Sequence, residues 1–417
     1  MNDIIAYCCR MKILLITSFI LLTFQGTGQL DYSSLLLNQH ISYLSSDELE
    51  GRLTGSKGED LAANYISVQL KTYNLTPVMS DFIVPFTYNL KTNPRDPAAS
   101  KWIEITGKNV LAYLNNGSER TILIGAHFDH LGRNEHGNST AKNALGIIHN
   151  GADDNASGVA SLLEIARVLS SNNIVEGSNF IFAFFSGEED GLMGSNAAAN
   201  VLTVNHNIVS MINLDMVGRL DTLRNLHIGG IGTSPVYMDE LTQLNKYDFH
   251  LKTDSSGVGP SDHTSFYQKN IPVLFFFTGT HEDYHKPTDD VEKINFNGVV
   301  SIAEYVHDIT IRLSMLTEIP FTATRNNIGN KPRYKVTLGI MPDYSSSHNG
   351  LKIDHVMDDR PAIRAGLLDG DILQKLDDCV ITDVYTYMEC LSQLHPGQTI
   401  SVQIMRNNKM IKLKVEL

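Results

Sequence analysis

Tryptophan occurs once in this 417-residue sequence and cysteine only four times, so neither residue can carry much of the architecture. Trp102 lies near the end of a proline-bearing stretch and is expected to be a buried structural aromatic rather than the border of a pocket. No cysteine sits just after the N-terminal apolar run, so a lipoprotein anchor is not indicated. Cys8 and Cys9 precede that run. Cys379 and Cys390 fall in a predicted strand and a predicted helix and are expected to be two buried, unpaired thiols, although an oxidising compartment would let them pair. Positive charge is also scarce. Lys and Arg number 33 against 46 Asp and Glu, a net charge of -13, which argues against nucleic acid or an anionic membrane as the main partner. Long apolar runs are missing too, for residues 13–24 are too few to span a bilayer comfortably. That run follows Arg10 and Lys12 and precedes Gly26-Thr27-Gly28, which gives it the basic, apolar and small-residue parts of a secretory signal peptide. Residues 1–28 are therefore expected to be removed on export to the periplasm or beyond, leaving no stable membrane span. Met11 is a second candidate start, and a retained anchor is the alternative.

The length allows two or three domains, and 42% hydrophobic residues supply cores for them. Residues 31–75 read as helical, with Leu61, Tyr65, Ile66, Gln69, Leu70 and Tyr73 on one face after the Gly55-Ser56-Lys57-Gly58 turn. Residues 76–108 are irregular, with one strand near 82–88. Residues 109–114, 121–126, 179–185, 208–214 and 271–277 are short, nearly continuous apolar runs, the pattern of strands buried on both faces. Helices fall between them, clearest at 159–169, and an amphipathic helix at 294–316 closes the unit. This predicts an α/β domain with a mostly parallel central sheet flanked by helices. Residues 317–333 read as a linker, and residues 334–417 as a small β-rich domain.

In parallel sheets ligands bind beyond the carboxyl ends of the strands. His127 and Asp129 follow the predicted strand 121–126, Glu188 and Glu189 follow 179–185, Asp215 closes 208–214, and His285 comes soon after 271–277. The acidic turn Gly151-Ala152-Asp153-Asp154-Asn155-Ala156-Ser157-Gly158 opens a helix on the same side. Taken alone that turn is equally an N-cap, since Asp, Asn and Ser all cap helices. With the strand-end residues it supplies His127, Asp154, Glu189, Asp215 and His285, imidazoles and carboxylates of the kinds that suit zinc. A dinuclear hydrolytic site needs a bridging carboxylate and a water between two cations. Glu188 is left as a general base, and Asp129 can accept the second N–H of His127 and orient it. Ser261-Asp262-His263 has triad residue types, but a triad is defined by geometry, and a loop shaping the pocket is the expected role. His130, His136, His149 and His281 flank the motifs; of the extra histidines only His263 and His281 are kept as minor candidates.

His127-Phe128-Asp129, the 151–158 turn, Gly187-Glu188-Glu189, Asn213-Leu214-Asp215 and Tyr284-His285 together resemble the ordered motif set of the M28 family of zinc aminopeptidases, over residues 31–316. Each motif is weak singly; five in order at strand ends are specific. The resemblance implies a zinc-peptidase fold of the phosphorylase/hydrolase-like kind and two zinc ions. It implies that Asp154 bridges the ions, that His127 and Asp215 complete one and Glu189 and His285 the other, and that Glu188 is the acid/base residue. It also implies a cis peptide at Asp154-Asn155.

The tail from residue 334 resembles a PDZ domain, on Leu338-Gly339-Ile340 and on Pro361-Ala362-Ile363-Arg364-Ala365-Gly366-Leu367-Leu368-Asp369-Gly370-Asp371-Ile372-Leu373. The resemblance makes Leu338, Gly339 and Ile340 a loop that can hold a peptide carboxylate, beside a strand open to β-augmentation and a helix near 386–394. Turn and packing needs alone also explain the glycines of 361–372. The leading expectation is an exported metallo-aminopeptidase acting on peptide or protein substrates, with a C-terminal peptide as a further ligand of the PDZ groove. A glutaminyl cyclase with one zinc and a non-catalytic peptide-binding protein are the alternatives.

Overall fold

Ser33 opens the first helix, α1 (Ser34–Leu44), its hydroxyl accepting the Leu36 amide. Ser56 opens α2 (Lys57–Thr72) the same way, accepting from Gly58 and Glu59. Each serine satisfies N–H groups that the first helical turn leaves without partners. These helices belong to a computed structural model that describes residues 32–91, 101–324, 336–342, 350–356, 360–382 and 384–417. The expected signal peptide and residues 325–333 of the expected linker lie outside the described residues.

Strands β1 (Thr76–Pro77), β2 (Ile83–Lys91), β3 (Trp102–Leu114) and β4 (Thr121–His127) come next, followed by α3 (Gly158–Ser171), β5 (Asn179–Phe185), α4 (Met193–Asn205) and β6 (Ile208–Leu214). After these come β7 (Asn225–Gly229), α5 (Tyr237–Leu244), β8 (His250–Thr253), the short α6 (His263–Tyr267), β9 (Val273–Phe277) and α7 (Phe296–Met315), the last capped by Asn295. All nine strands form one sheet in the order β1-β3-β5-β4-β6-β9-β7-β8, with β2 paired to β3. The four central strands β5, β4, β6 and β9 are parallel. β3 and β7 join them antiparallel, so the sheet is mixed at its margins where the sequence suggested a largely parallel one.

The apolar runs arise because both faces of the central strands are covered. Phe180, Phe182 and Phe184 of β5 enter the core beneath α1, α2, α3, α5 and α7, while Ile181, Ala183 and Phe185 enter a second core beneath α4 and α6. A period of two on a two-sided sheet leaves no polar position. One expectation fails at the sheet margin. Trp102 is 68% exposed, not buried. It pairs with Lys91 at the open end of the β2–β3 ribbon, whereas β3 joins β5 only from Val110 to Leu114, so no helix layer covers the ribbon at residues 102–104.

The C-terminal region has its own antiparallel sheet and its own core. Its elements are β10 (Ile340–Pro342), β11 (Leu351–Val356), α8 (Pro361–Arg364), β12 (Ile372–Leu376), β13 (Cys379–Val380), α9 (Val384–Ser392), β14 (Thr399–Arg406) and β15 (Lys409–Glu416). The strand order is β10-β11-β12-β14-β15, with β13 beside β12. Arg406 and Asp371 form a two-pronged ion pair at 2.6 and 2.7 Å. Cys379 and Cys390 are joined in a disulfide, which corrects the expectation of two free thiols. Being in different elements does not keep them apart, because α9 folds back over β13 and brings the two Cα atoms to 5.9 Å, within bridging range. Among the described residues no helix is long and apolar enough to cross a membrane.

Candidate metal centre

The carboxyl ends of β4, β5, β6 and β9 share one edge of the sheet, and each releases polar residues there. His127 is the last residue of β4, and the next backbone N–H, from Phe128, bonds to Phe185 of β5 at 2.8 Å, so the loops after the two strands leave side by side. Asp215 follows β6, its amide bonded to Phe276 of β9 at 3.2 Å. The turn before α3 supplies Asp154 through an irregular backbone that includes a cis Asp154-Asn155 peptide, as the motif resemblance implies. Asn155 ties this turn to β6: its amide nitrogen donates to Leu214 O at 3.0 Å, and its oxygen accepts from the amides of Met216 (3.1 Å) and Gly158 (3.0 Å). Only glycine fits at 151, where φ is +57° and a Cβ would lie 2.1 Å from the Asp154 carbonyl oxygen.

These elements bring all five sequence-predicted ligands together. His127 Nε2 lies 3.4 Å from Asp154 Oδ1 and 3.3 Å from Asp215 Oδ1. His285 Nε2 lies 3.3 Å from Asp154 Oδ2 and 3.1 Å from Glu189 Oε2. The two oxygens of Asp154 therefore face different histidines. Donors bound tetrahedrally to zinc at about 2.0–2.1 Å stand about 3.3 Å apart, the edge of the tetrahedron, and these four separations match that edge. Among the described residues two donor groups emerge, one of His127, Asp154 and Asp215 and one of His130, Asp154 and Glu189, with Asp154 in both.

His130 is the residue that the sequence did not single out. Its Nδ1 is 2.8 Å from Glu189 Oε1 and 3.8 Å from Asp154 Oδ2. The shorter separation is a hydrogen bond rather than a tetrahedral edge, so the imidazole donates to Glu189 and fixes that carboxylate's orientation, while His285 supplies the donor at edge distance. The only signal in the sequence is its nearness to the motifs, three residues after His127, and His136, His149 and His281 lie near them too.

The electrostatics follow from packing so many carboxylates together. Burial alone would lower the pKa of His127, but Asp215 and Glu188 outweigh it and raise it well above the usual imidazole value. Burial is likewise overcome at His285, by Glu189 and Asp154. Asp154, whose burial would raise its pKa, is pulled well below the carboxylate range by His130, His127 and His285. Glu188 goes the other way: burial, then Glu189, Asp262 and Asp215, push its pKa well up against the pull of His127. Glu188 belongs to neither donor group. A carboxyl group that readily holds a proton beside a cation site is suited to proton transfer.

Asp129 faces the His127 ring from two sides: its backbone carbonyl lies 3.2 Å from Nδ1 and its carboxylate Oδ1 3.7 Å from the same nitrogen. The carboxylate also accepts the backbone amides of Glu188 (3.2 Å) and Glu189 (3.4 Å) and the Thr54 hydroxyl (3.1 Å), which fixes the turn that carries both glutamates. Asp153 supports the turn that carries Asp154, accepting from Ser157 and the Gly218 amide and facing His281 at 3.1 Å. His263 lies outside the cluster, stacked on Phe275 with centroids 4.6 Å apart, and burial lowers its pKa to about 3. The Ser261 hydroxyl accepts from Asn213, and His263 Nδ1 has no hydrogen-bond partner among the described residues, so Ser261, Asp262 and His263 do not make a triad. His149 bonds to Ser139 and His136 to Asp190.

In the C-terminal region Leu338 and Ile340 are buried in the core, and Gly339 sits between them at φ +74° with its amide donating to the Thr337 hydroxyl at 3.0 Å.

Residues 109–310 match the family model for peptidase family M28, and residues 308–417 match that for the PDZ domain. A probable leucine aminopeptidase of Arthroderma otae is 24% identical over 225 residues, 50% of this chain and 57% of that protein. The chain spans about half the length of the curated relatives it matches. Among solved structures, the Legionella pneumophila LapA aminopeptidase superposes with a TM-score of 0.53 at 21% identity, over 69% of this chain and 72% of that one. Porphyromonas gingivalis glutaminyl cyclase superposes with a TM-score of 0.56 at 18% identity, over 68% and 99%. At these identities the superpositions establish a shared fold.

Proposed function

The chain carries a peptidase family M28 domain followed by a PDZ domain, and from that premise we propose that it is an exported aminopeptidase that holds two zinc ions and removes N-terminal residues from peptides. The observation that carries this reading is the placement of Asp154, whose two carboxylate oxygens face His127 and His285 at tetrahedral-edge distances. His127, Asp154 and Asp215 would hold one ion, and Asp154, Glu189 and His285 the other. Zinc held there would supply Lewis acidity toward the scissile carbonyl and the attacking water. Glu188 takes a proton from the attacking water and returns it to the leaving amine. Asp129 keeps the Glu188 backbone amide in place, and the Asp129 carbonyl fixes the His127 ring.

The test is to assay peptides with free N-termini against N-acetylated copies, with and without chelator, and to count zinc in the purified chain. Hydrolysis of the free-amine set alone, lost on chelation, with two zincs per chain, supports the reading. One zinc and cyclisation of N-terminal glutamine would favour the glutaminyl cyclase reading, which the shared fold keeps in play. The two donor sets, His127 with Asp154 and Asp215 and His285 with Asp154 and Glu189, favour the peptidase. Export rests on the signal-like N-terminus, and N-terminal sequencing of the exported protein tests it. The PDZ region is assigned a C-terminal peptide ligand, tested by titrating free-acid and amidated peptides.

A further inference from the structure

Arg52 is among the largest fully buried side chains in the protein and lies in none of the motifs discussed above. It follows Gly51 in left-handed backbone, with φ of +72° and +50° at the two residues. A side chain at 51 would meet the carbonyl oxygens of His149 and Gly132 at 2.5 and 2.6 Å, so the strand of backbone is threaded between the two loops that carry the metal residues. Among the described residues the Arg52 guanidinium donates only to backbone carbonyls, from three separate segments. Nε bonds to Phe128 O at 2.7 Å, between His127 and Asp129. Nη1 bonds to Asn150 O at 2.7 Å and Nη2 to Gly151 O at 3.0 Å, just before the turn that carries Asp154. Nη1 also bonds to Leu44 O at the end of α1. The Arg52 carbonyl in turn accepts the His130 amide at 3.3 Å. Burial lowers the pKa of the guanidinium to about 10, against the opposing pull of Asp154, Asp129, Asp289 and Glu189, so it remains charged at neutral pH.

The two loops it joins must be held close although they are lined with carboxylates, which repel one another until a cation arrives. A guanidinium presents five N–H donors in a rigid plane, and so can fix several carbonyls at once where a lysine ammonium acts as a point charge. We propose that Arg52 is a positioning residue for the metal centre: it sets the spacing between the loop bearing His127 and the turn bearing Asp154, so that both are assembled before zinc binds. This rests on the zinc reading given above.

The test uses the full chain, stripped of metal, with zinc affinity measured by competition against a chromophoric chelator. The variants are Arg52→Lys, Arg52→Gln and, as a control, Tyr305→Phe, which removes a buried hydrogen bond to Leu241 O between α5 and α7. Both Arg52 variants are expected to bind zinc roughly tenfold or more weakly, the scale seen when groups that orient ligands are lost, with Arg52→Gln the weaker. Tyr305→Phe should lower the melting temperature and keep wild-type zinc affinity. An Arg52 variant that is folded by circular dichroism and binds zinc as wild type overturns the proposal. Equal weakening by Tyr305→Phe also overturns it, since general destabilisation would then be the cause. If Arg52→Gln does not fold, Arg52→Lys decides alone. A wild-type chain that takes up no zinc overturns the metal reading itself, and the clamp with it.

Discussion

Replacing Glu188 by Gln keeps its size and removes its capacity to take a proton, while leaving both donor groups whole. The expected result is near-normal zinc content with turnover lowered on the order of 10² to 10⁴, the usual worth of a positioned general base. Unchanged turnover would remove Glu188 from the mechanism. Asp154→Asn has the opposite signature, because it reduces the charge of the one residue common to both groups; zinc should be lost, and two zincs retained would show that Asp154 does not bridge. A different residue sets part of the pH dependence. Burial, against the pull of Glu164, lowers the pKa of His40 from 6.5 to about 4, and its Nδ1 is paired with the Tyr65 hydroxyl at 2.7 Å. Between those pH values the unfolded chain binds the proton and the folded chain does not, so stability falls as pH drops from 6.5 toward 4. The shift corresponds to an effect on the order of 3 kcal/mol. The difference in urea stability between wild type and His40→Asn isolates it: the variant should lose less stability across that window, and parallel curves would exclude the assignment.

At the scale of elements, what the sequence makes legible depends on where each residue's partners lie. The central strands can be read because covering both faces forces every position to be apolar, and a strand end followed by His, Asp or Glu then points to the site. Strand direction cannot be read this way, which is why β3 fits the apolar pattern yet runs antiparallel to β5. Trp102 misleads because its exposure depends on the ribbon outrunning its neighbour, and the disulfide because it depends on how α9 returns over β13. His130 and Arg52 are invisible in sequence for the same reason: one acts on a carboxylate 59 residues away and the other on carbonyls up to 99 residues away. Strand β5 offers a direct check of the two-sided sheet. Phe182→Ala should cost about 3–5 kcal/mol, the range for deleting a buried aromatic, and leave zinc stoichiometry unchanged once folded. A cost below about 1 kcal/mol in denaturant unfolding would mean that the helix layer above β5 is not packed as described.

For the whole molecule, the main fact is that the two sheets share no strand and their apolar cores are separate sets of residues. Each region also has its own reinforcement. The donor groups lie wholly in the N-terminal region, and the disulfide, closing a short loop with a sequence separation of 11, lies wholly in the C-terminal one. A ligand that binds only folded protein stabilises the unit that contains it. A cross-link acts chiefly on the unfolded ensemble of its own segment, by about 2–3 kcal/mol for a loop this short. Calorimetry of the zinc-loaded, oxidised chain should therefore show two transitions that respond independently. Chelator should lower only the transition of the M28 region, and reductant only that of the PDZ region. If either reagent moves both transitions together, the two regions unfold as one cooperative unit, and the boundary placed at residues 317–333 does not divide independent domains.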